Sequence, residues 1–100
     1  MYVKVAKTID IPQGTMKHFK IEGNEYLVAN ADGNYYVINN RCPHFQARLS
    51  EGTLNGRILT CPKHHASFDV ITGKSMTPQN SDTSTFQVKI EGDDLLIEIY

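Results

Sequence analysis

Four residues in the middle of the chain have the types and spacing to hold a metal centre. Cys42 and His44 stand two apart in Cys42-Pro43-His44; Cys61 and His64 stand three apart in Cys61-Pro62-Lys63-His64, with sixteen residues between the groups. The stretch from Cys42 to Phe68 holds both cysteines and three of the four histidines of the protein. Thiolate and imidazole suit zinc, copper and iron, and a closely spaced pair lets one tight loop supply two ligands. Proline follows each cysteine, fixing φ and stiffening both loops at similar points. Ligand chemistry alone leaves zinc and iron open, although a structural zinc site more often carries Cys-x-x-Cys pairs.

The segments that must position these loops read as β-structure, because short alternating stretches are separated by turn signals and none has a long helical period. Tyr2 to Ala6 is a first strand, and Met16 to Glu22 places Phe19 and Ile21 on one face. Glu22-Gly23-Asn24 reads as a hairpin turn, and Ala31-Asp32-Gly33 as a tight reversal between Glu25–Asn30 and Asn34–Asn39. From Asn40 to Ser75, Pro43, Gly52, Gly56, Pro62 and Gly73 punctuate the chain, and every candidate ligand falls here. Ile58–Thr60 and Ser67–Ile71 are long enough for short strands, and Met76–Thr85 is a polar surface connection. Phe86 to Tyr100 closes as a hairpin whose alternating Phe86, Val88 and Ile90, then Leu95, Ile97 and Ile99, mark strands with one buried face. The expected fold is all-β, a small antiparallel β-sandwich or barrel. It forms a single domain over 1–100, with a base of 1–40 and 76–100 and an inserted subdomain of two ligand loops at 41–75.

Composition bounds the function. One hundred residues support one core and one site. Ten Lys plus Arg against eleven Asp plus Glu give a net charge of −1, without the basic excess that nucleic acid or an anionic membrane calls for. No apolar run approaches the roughly 20 residues needed to cross a bilayer, and Met1 to Lys7 lacks the apolar core of a signal peptide. The chain is expected to be soluble and cytoplasmic, where a cysteine pair is a metal site rather than a disulfide. No nucleophile-and-base pair or phosphate-binding glycine loop is present, so catalysis by the chain alone is not expected.

Cys42-x-His44 and Cys61-x-x-His64, with Phe68-Asp69 and Thr72-Gly73-Lys74 following, resemble the Rieske ferredoxin family. The resemblance implies one 2Fe-2S cluster, with Cys42 and Cys61 on an inner iron and His44 and His64 on an outer iron near the surface. Leu49, Gly52 and Leu54 match the family's connecting segment and are expected to pack and turn it. The chain departs from the respiratory members, which carry a disulfide where this chain has Ala47 and Lys63, and hydroxyl donors to sulfur where it has Ala66 and Phe68. Hydrogen bonds to sulfur favour the reduced cluster, so their loss implies a low potential. Gln46 and His65 stand where the family often has glycine.

What the resemblance implies is a soluble, monomeric one-electron carrier, not an enzyme, passing electrons from an NAD(P)H-dependent flavin reductase to a terminal oxygenase or similar acceptor. The alternatives are a small electron-transfer subunit of a larger reductase of the nitrite-reductase type, or a zinc-stabilised interaction module. Around the loops, Phe45 is a candidate docking residue, and Arg41, Arg48, Lys63 and Lys74 supply positive charge. His65 and His18 read as loop and strand-surface residues, and Phe19, Tyr26, Tyr35 and Tyr36 as core and sheet filler.

Overall fold

The computed structural model describes residues 1–40, 48–62, 66–76 and 82–99. Its strands are Tyr2–Lys7 (β1), Met16–Ile21 (β2), Asn24–Ala31 (β3), Asn34–Asn39 (β4), Thr53–Asn55 (β5), Ile58–Thr60 (β6), Ser67–Asp69 (β7), Thr85–Phe86 (β8), Val88–Glu91 (β9) and Asp94–Glu98 (β10). They form antiparallel sheets in the orders β1-β10-β9, β2-β3-β4-β8 and β5-β6-β7. Two reversals build the second sheet. Glu22 and Gly23 have φ of 50° and 87°, Asp32 and Gly33 of 55° and 89°, and a two-residue hairpin of matching twist needs positive φ at both central residues.

Strand β3 is the centre of the molecule. Every residue from Glu25 to Ala31 is buried, and the alternation of side chains divides them between two cores. Leu27, Ala29 and Ala31 join Ile38, Leu49, Leu59, Cys61, Ala66, Phe68 and Val70. Tyr26 and Val28 join Val37, Leu95, Ile97 and Ile99. The β2-β3-β4-β8 sheet is therefore a middle layer, with the terminal strands packed on one face and the β5-β6-β7 sheet on the other. The near-continuous apolar run Tyr26-Leu27-Val28-Ala29 is what a strand covered on both faces requires.

Three readings of the sequence need correction. The final hairpin is interrupted at Gln87: Phe86 pairs with Val37 in the middle sheet, whereas Val88 pairs with Ile97 in the terminal sheet. One chain segment thus serves two sheets, held by the edge-on contact of Phe86 with Tyr26 at 4.9 Å between centroids. Ile90 shares the period of Val88 but is 50% exposed, because β9 is the edge of its sheet. The strand expected over Ser67–Ile71 stops at Asp69, whose carboxylate accepts the Ile71 N–H at 2.9 Å while its carbonyl accepts the Gly73 N–H at 2.7 Å. Asp69 thereby folds its own following turn.

Asp69 also pairs with Arg57 across the β6–β7 hairpin. Arg57 Nε donates to Oδ2 at 2.9 Å and Nη2 donates to the same oxygen. Burial pushes the Asp69 pKa up, but the Arg57 hydrogen bond, the Ile71 N–H, the Arg57 charge and the Thr72 N–H outweigh it, leaving the carboxyl below its ordinary 3.8. A carboxyl lowered in the folded state contributes stability that is complete above its unfolded pKa and is lost as pH falls through the folded value. Thermal melts followed by circular dichroism should therefore show stability declining below about pH 4. In Asp69→Asn the neutral-pH Tm should drop, on the order of 5 °C, and the acid dependence should become shallower. An unchanged acid limb in that variant would exclude Asp69 as a source of the pH dependence.

Candidate metal centre

The register of β6 against β7 decides where Cys61 goes. Leu59 pairs with Phe68 and Thr60 with Ser67, and one step further the Cys61 N–H donates to the Ala66 carbonyl at 2.6 Å. Leu59 and Cys61, two apart, share a face, and both are in the core with Leu27, Ala29, Ala66 and Phe68. Cys61 is only 1% exposed. The segment containing His64 joins Cys61 to Ala66 in sequence, so the candidate histidine belongs to a connection whose base is fixed by strand pairing and core packing.

The first pair of candidate ligands is bounded in a comparable way. Leu49 N–H donates to the Asn40 carbonyl at 2.6 Å, and Asn40 N–H to the Glu25 carbonyl at 3.1 Å. The ends of the segment that carries Cys42 and His44 are thus tied to each other and to β3. After it, Leu49–Glu51 forms a 3-10 turn with Leu49 fully buried. A Cβ at Gly52 would run into the Thr60 carbonyl, so glycine lets β5 approach β6 there. Leu54 packs on the same core. Leu49, Gly52 and Leu54 do the packing and turning anticipated for them.

Of the four expected ligands, Cys61 is placed; Cys42, His44 and His64 lie outside the described residues, as do Arg41, Phe45, Gln46, Ala47, Lys63 and His65. Among the described residues no three His, Cys, Asp or Glu side chains come together as a metal-binding group. The surroundings of Cys61 nevertheless fit a thiolate–iron bond: an anionic sulfur in an apolar shell is costly unless a cation neutralises it. The donor set of two thiolates and two imidazoles suits a 2Fe-2S centre with histidines on one iron. Ala66 and Phe68, both fully buried beside Cys61 in the core, bring no hydroxyl to the sulfur.

Asn40 is the residue that sequence reasoning missed. It is fully buried, and its contacts to Glu25 and Leu49 are separated from it by fifteen and nine residues; its only local signal was a polar residue next to a loop. A recess of about 470 Å³, whose described lining includes Tyr26, Asn39, Phe86 and Ile99, involves none of the β5-β6-β7 residues and stands apart from Cys61. Arg48, 54% exposed, lies with Nε 3.6 Å from Glu25, so part of the positive charge near the loops is already engaged. Among the described residues no helix is long and apolar enough to cross a membrane.

Comparison with known proteins points to the same kind of centre. A model of the Rieske [2Fe-2S] domain matches residues 1–95. The ferredoxin component of the naphthalene 1,2-dioxygenase/salicylate 5-hydroxylase systems of Ralstonia sp is 41% identical over 91 residues, which are 90% of this chain and 88% of that protein. The ferredoxin of carbazole 1,9a-dioxygenase from Nocardioides aromaticivorans IC177 superposes with a TM-score of 0.90 at 28% identity, covering 96% of this chain and 95% of that one. A chain in a complex of reduced oxygenase and oxidized ferredoxin in carbazole 1,9a-dioxygenase gives 0.91 at 28% identity, over 96% and 91% of the two chains. A Cys/His donor set, the buried Cys61 and likeness along almost the whole length converge: this protein belongs to the Rieske [2Fe-2S] domain family and is an electron carrier with one Rieske-type 2Fe-2S cluster.

Proposed function

We propose that Cys42, His44, Cys61 and His64 hold the cluster, Cys42 and Cys61 on the inner iron and His44 and His64 on the outer one. The burial of Cys61 at the end of a paired hairpin carries the proposal, since it offers one thiolate where water is excluded. Residues 41–75 then act as a cluster-binding subdomain on a base of 1–40 and 76–100. Bound there, the cluster supplies storage of a single electron. The chain contributes hydrogen-bonded bases at both loops and an apolar shell around Cys61.

The chain serves as a soluble, monomeric, cytoplasmic shuttle, taking one electron from an NAD(P)H-dependent flavin reductase and passing it to the terminal component of an aromatic-ring oxygenase. The dioxygenase ferredoxins it resembles support the acceptor class. Its contact with either partner is small and transient, as redox encounters generally are. Titration with reductase, NAD(P)H and an oxygenase, together with sedimentation, tests this. Stable copurification with a large reductase would instead favour the dedicated-subunit alternative.

Three outcomes follow. Replacing Cys42 or Cys61 by Ala should abolish the visible absorption and the reduced-state electron paramagnetic resonance signal. Retention of a Rieske signal in either variant would remove that residue from the ligand set. The potential of the native protein should lie at the low end of the Rieske range, at roughly −150 mV. Phe68→Tyr should raise it by offering a hydroxyl to sulfur, and a potential unmoved or lowered in that variant would overturn the assignment of Phe68 as a determinant.

A further inference from the structure

Asn40 stands immediately before the first candidate ligand segment, and among the described residues its polar groups join the two ends of that segment to β3. The main chain accepts from Leu49 and donates to Glu25. In the side chain, Oδ1 accepts the Ser50 N–H at 2.8 Å and Nδ2 donates to Glu25 Oε1 at 3.2 Å. Glu25 is itself only 8% exposed, and its Oε1 also lies 3.6 Å from Arg48 Nε. One buried amide and one buried carboxylate thus join β3 to residue 40 and to residues 48–50, the two ends of the segment 41–47. Burying an amide and a carboxylate costs desolvation that an apolar pair of the same volume avoids. What such a pair adds is direction: its donors and acceptors are satisfied in one relative placement of the three strands of chain that meet there.

We infer that Asn40 and Glu25 are positioning residues for the cluster, a polar latch that holds the ends of the first ligand loop in the separation and orientation its ligands need. The inference rests on the reading of Cys42 and His44 as ligands. At the second loop the strands β6 and β7 set the base, with a part-buried hydroxyl contact of 3.3 Å between Thr60 and Ser67 and, among the described residues, no buried amide–carboxylate pair.

The latch has a donor–acceptor sense that can be reversed. Glu25→Gln keeps an acceptor oxygen for Asn40 Nδ2, so the hydrogen bond survives. Asn40→Asp keeps the acceptor for the Ser50 N–H but turns a second carboxylate oxygen against Glu25, so the latch opens. In the Asn40→Asp/Glu25→Gln double variant the introduced amide donates to the introduced carboxylate, and the bond returns with the net charge of the native protein. The measurements are the half-life of the holoprotein's visible absorption under a chelator and the linewidth and g-values of the dithionite-reduced resonance.

Asn40→Asp should shorten the half-life roughly tenfold and broaden the resonance, as loss of a supporting hydrogen bond does at metal sites. Glu25→Gln should stay within about twofold of native, and the double variant should recover most of the loss. A native half-life and spectrum in Asn40→Asp, or a double variant no better than Asn40→Asp, overturns the inference. Should Asn40→Asp fail to accumulate, the double variant decides: native-like cluster retention supports the latch, and a folded double variant that loses its cluster overturns it. Cys42→Ala separates the two levels. If it keeps the Rieske signal the ligand reading has failed; if it loses the signal while Asn40→Asp is native, only the latch has failed.

Discussion

The single placement on which the rest depends is the pairing of Leu59 with Phe68, which puts Cys61 opposite Ala66 and inside the core. Side chains alternate along a strand, so a slip of one residue would turn Leu59 and Cys61 outward and expose Thr60 to the core instead. The backbone bonds cannot prevent that slip, since each contributes only about 1 kcal/mol net and a slipped ladder recovers most of them. Packing prevents it. Leu59 and Phe68 are fully buried, and each would forfeit roughly 1.5–3 kcal/mol on turning to water. The apolar residues flanking the thiolate therefore fix its position before any metal arrives.

That hairpin needs something to pack against, and β3 supplies it. Because both faces of β3 are covered, Leu27 and Ala29 face the loop-bearing side while Tyr26 and Val28 face the terminal strands. The two cores share one backbone. A change on the Tyr26 side that moves β3 moves the floor under Cys61, and near its start the same strand carries Glu25, whose carbonyl accepts the Asn40 N–H. The bases of both candidate ligand loops are thus referred to one element, β3, at two points.

The proposed ligand pattern stands out in the sequence because a loop that chelates must place its donors within a few residues of one another. The Asp32-Gly33 reversal was legible for the same local reason: the positive φ it takes is written in its residue types. Less could be read where partners are distant. Thr53–Asn55 is too short and mixed to announce itself and becomes β5 through pairing with Ile58–Thr60. Ile90 has the period of a core residue, but its exposure is set by the absence of a neighbouring strand beyond β9 in that sheet. Asn40 has the appearance of a loop former, and its role depends on Glu25, which only the β3–β4 hairpin brings to it. The strand at Ser67 was read too long because the Asp69 side chain competes with the ladder for the following N–H groups.

The two loops are held by different physics, and the difference bears on how the site responds to its surroundings. At the second loop the base is strand-paired, with an uncharged Thr60–Ser67 hydroxyl contact on one face and Cys61, Ala66, Leu59 and Phe68 buried on the other, where the contribution comes from excluded water, which salt hardly alters. At the first loop the base is polar, with Glu25 buried and Arg48 half in solvent. Arg48 reaches Glu25 from the solvent side, where salt screens it, but the carboxylate is buried and would lose its counter-charge if the arginine left. The Asn40 amide is fully buried, and its hydrogen bond fixes the orientation of that carboxylate from the protein side. Salt therefore bears on the base of the first loop through Arg48 and hardly at all on that of the second.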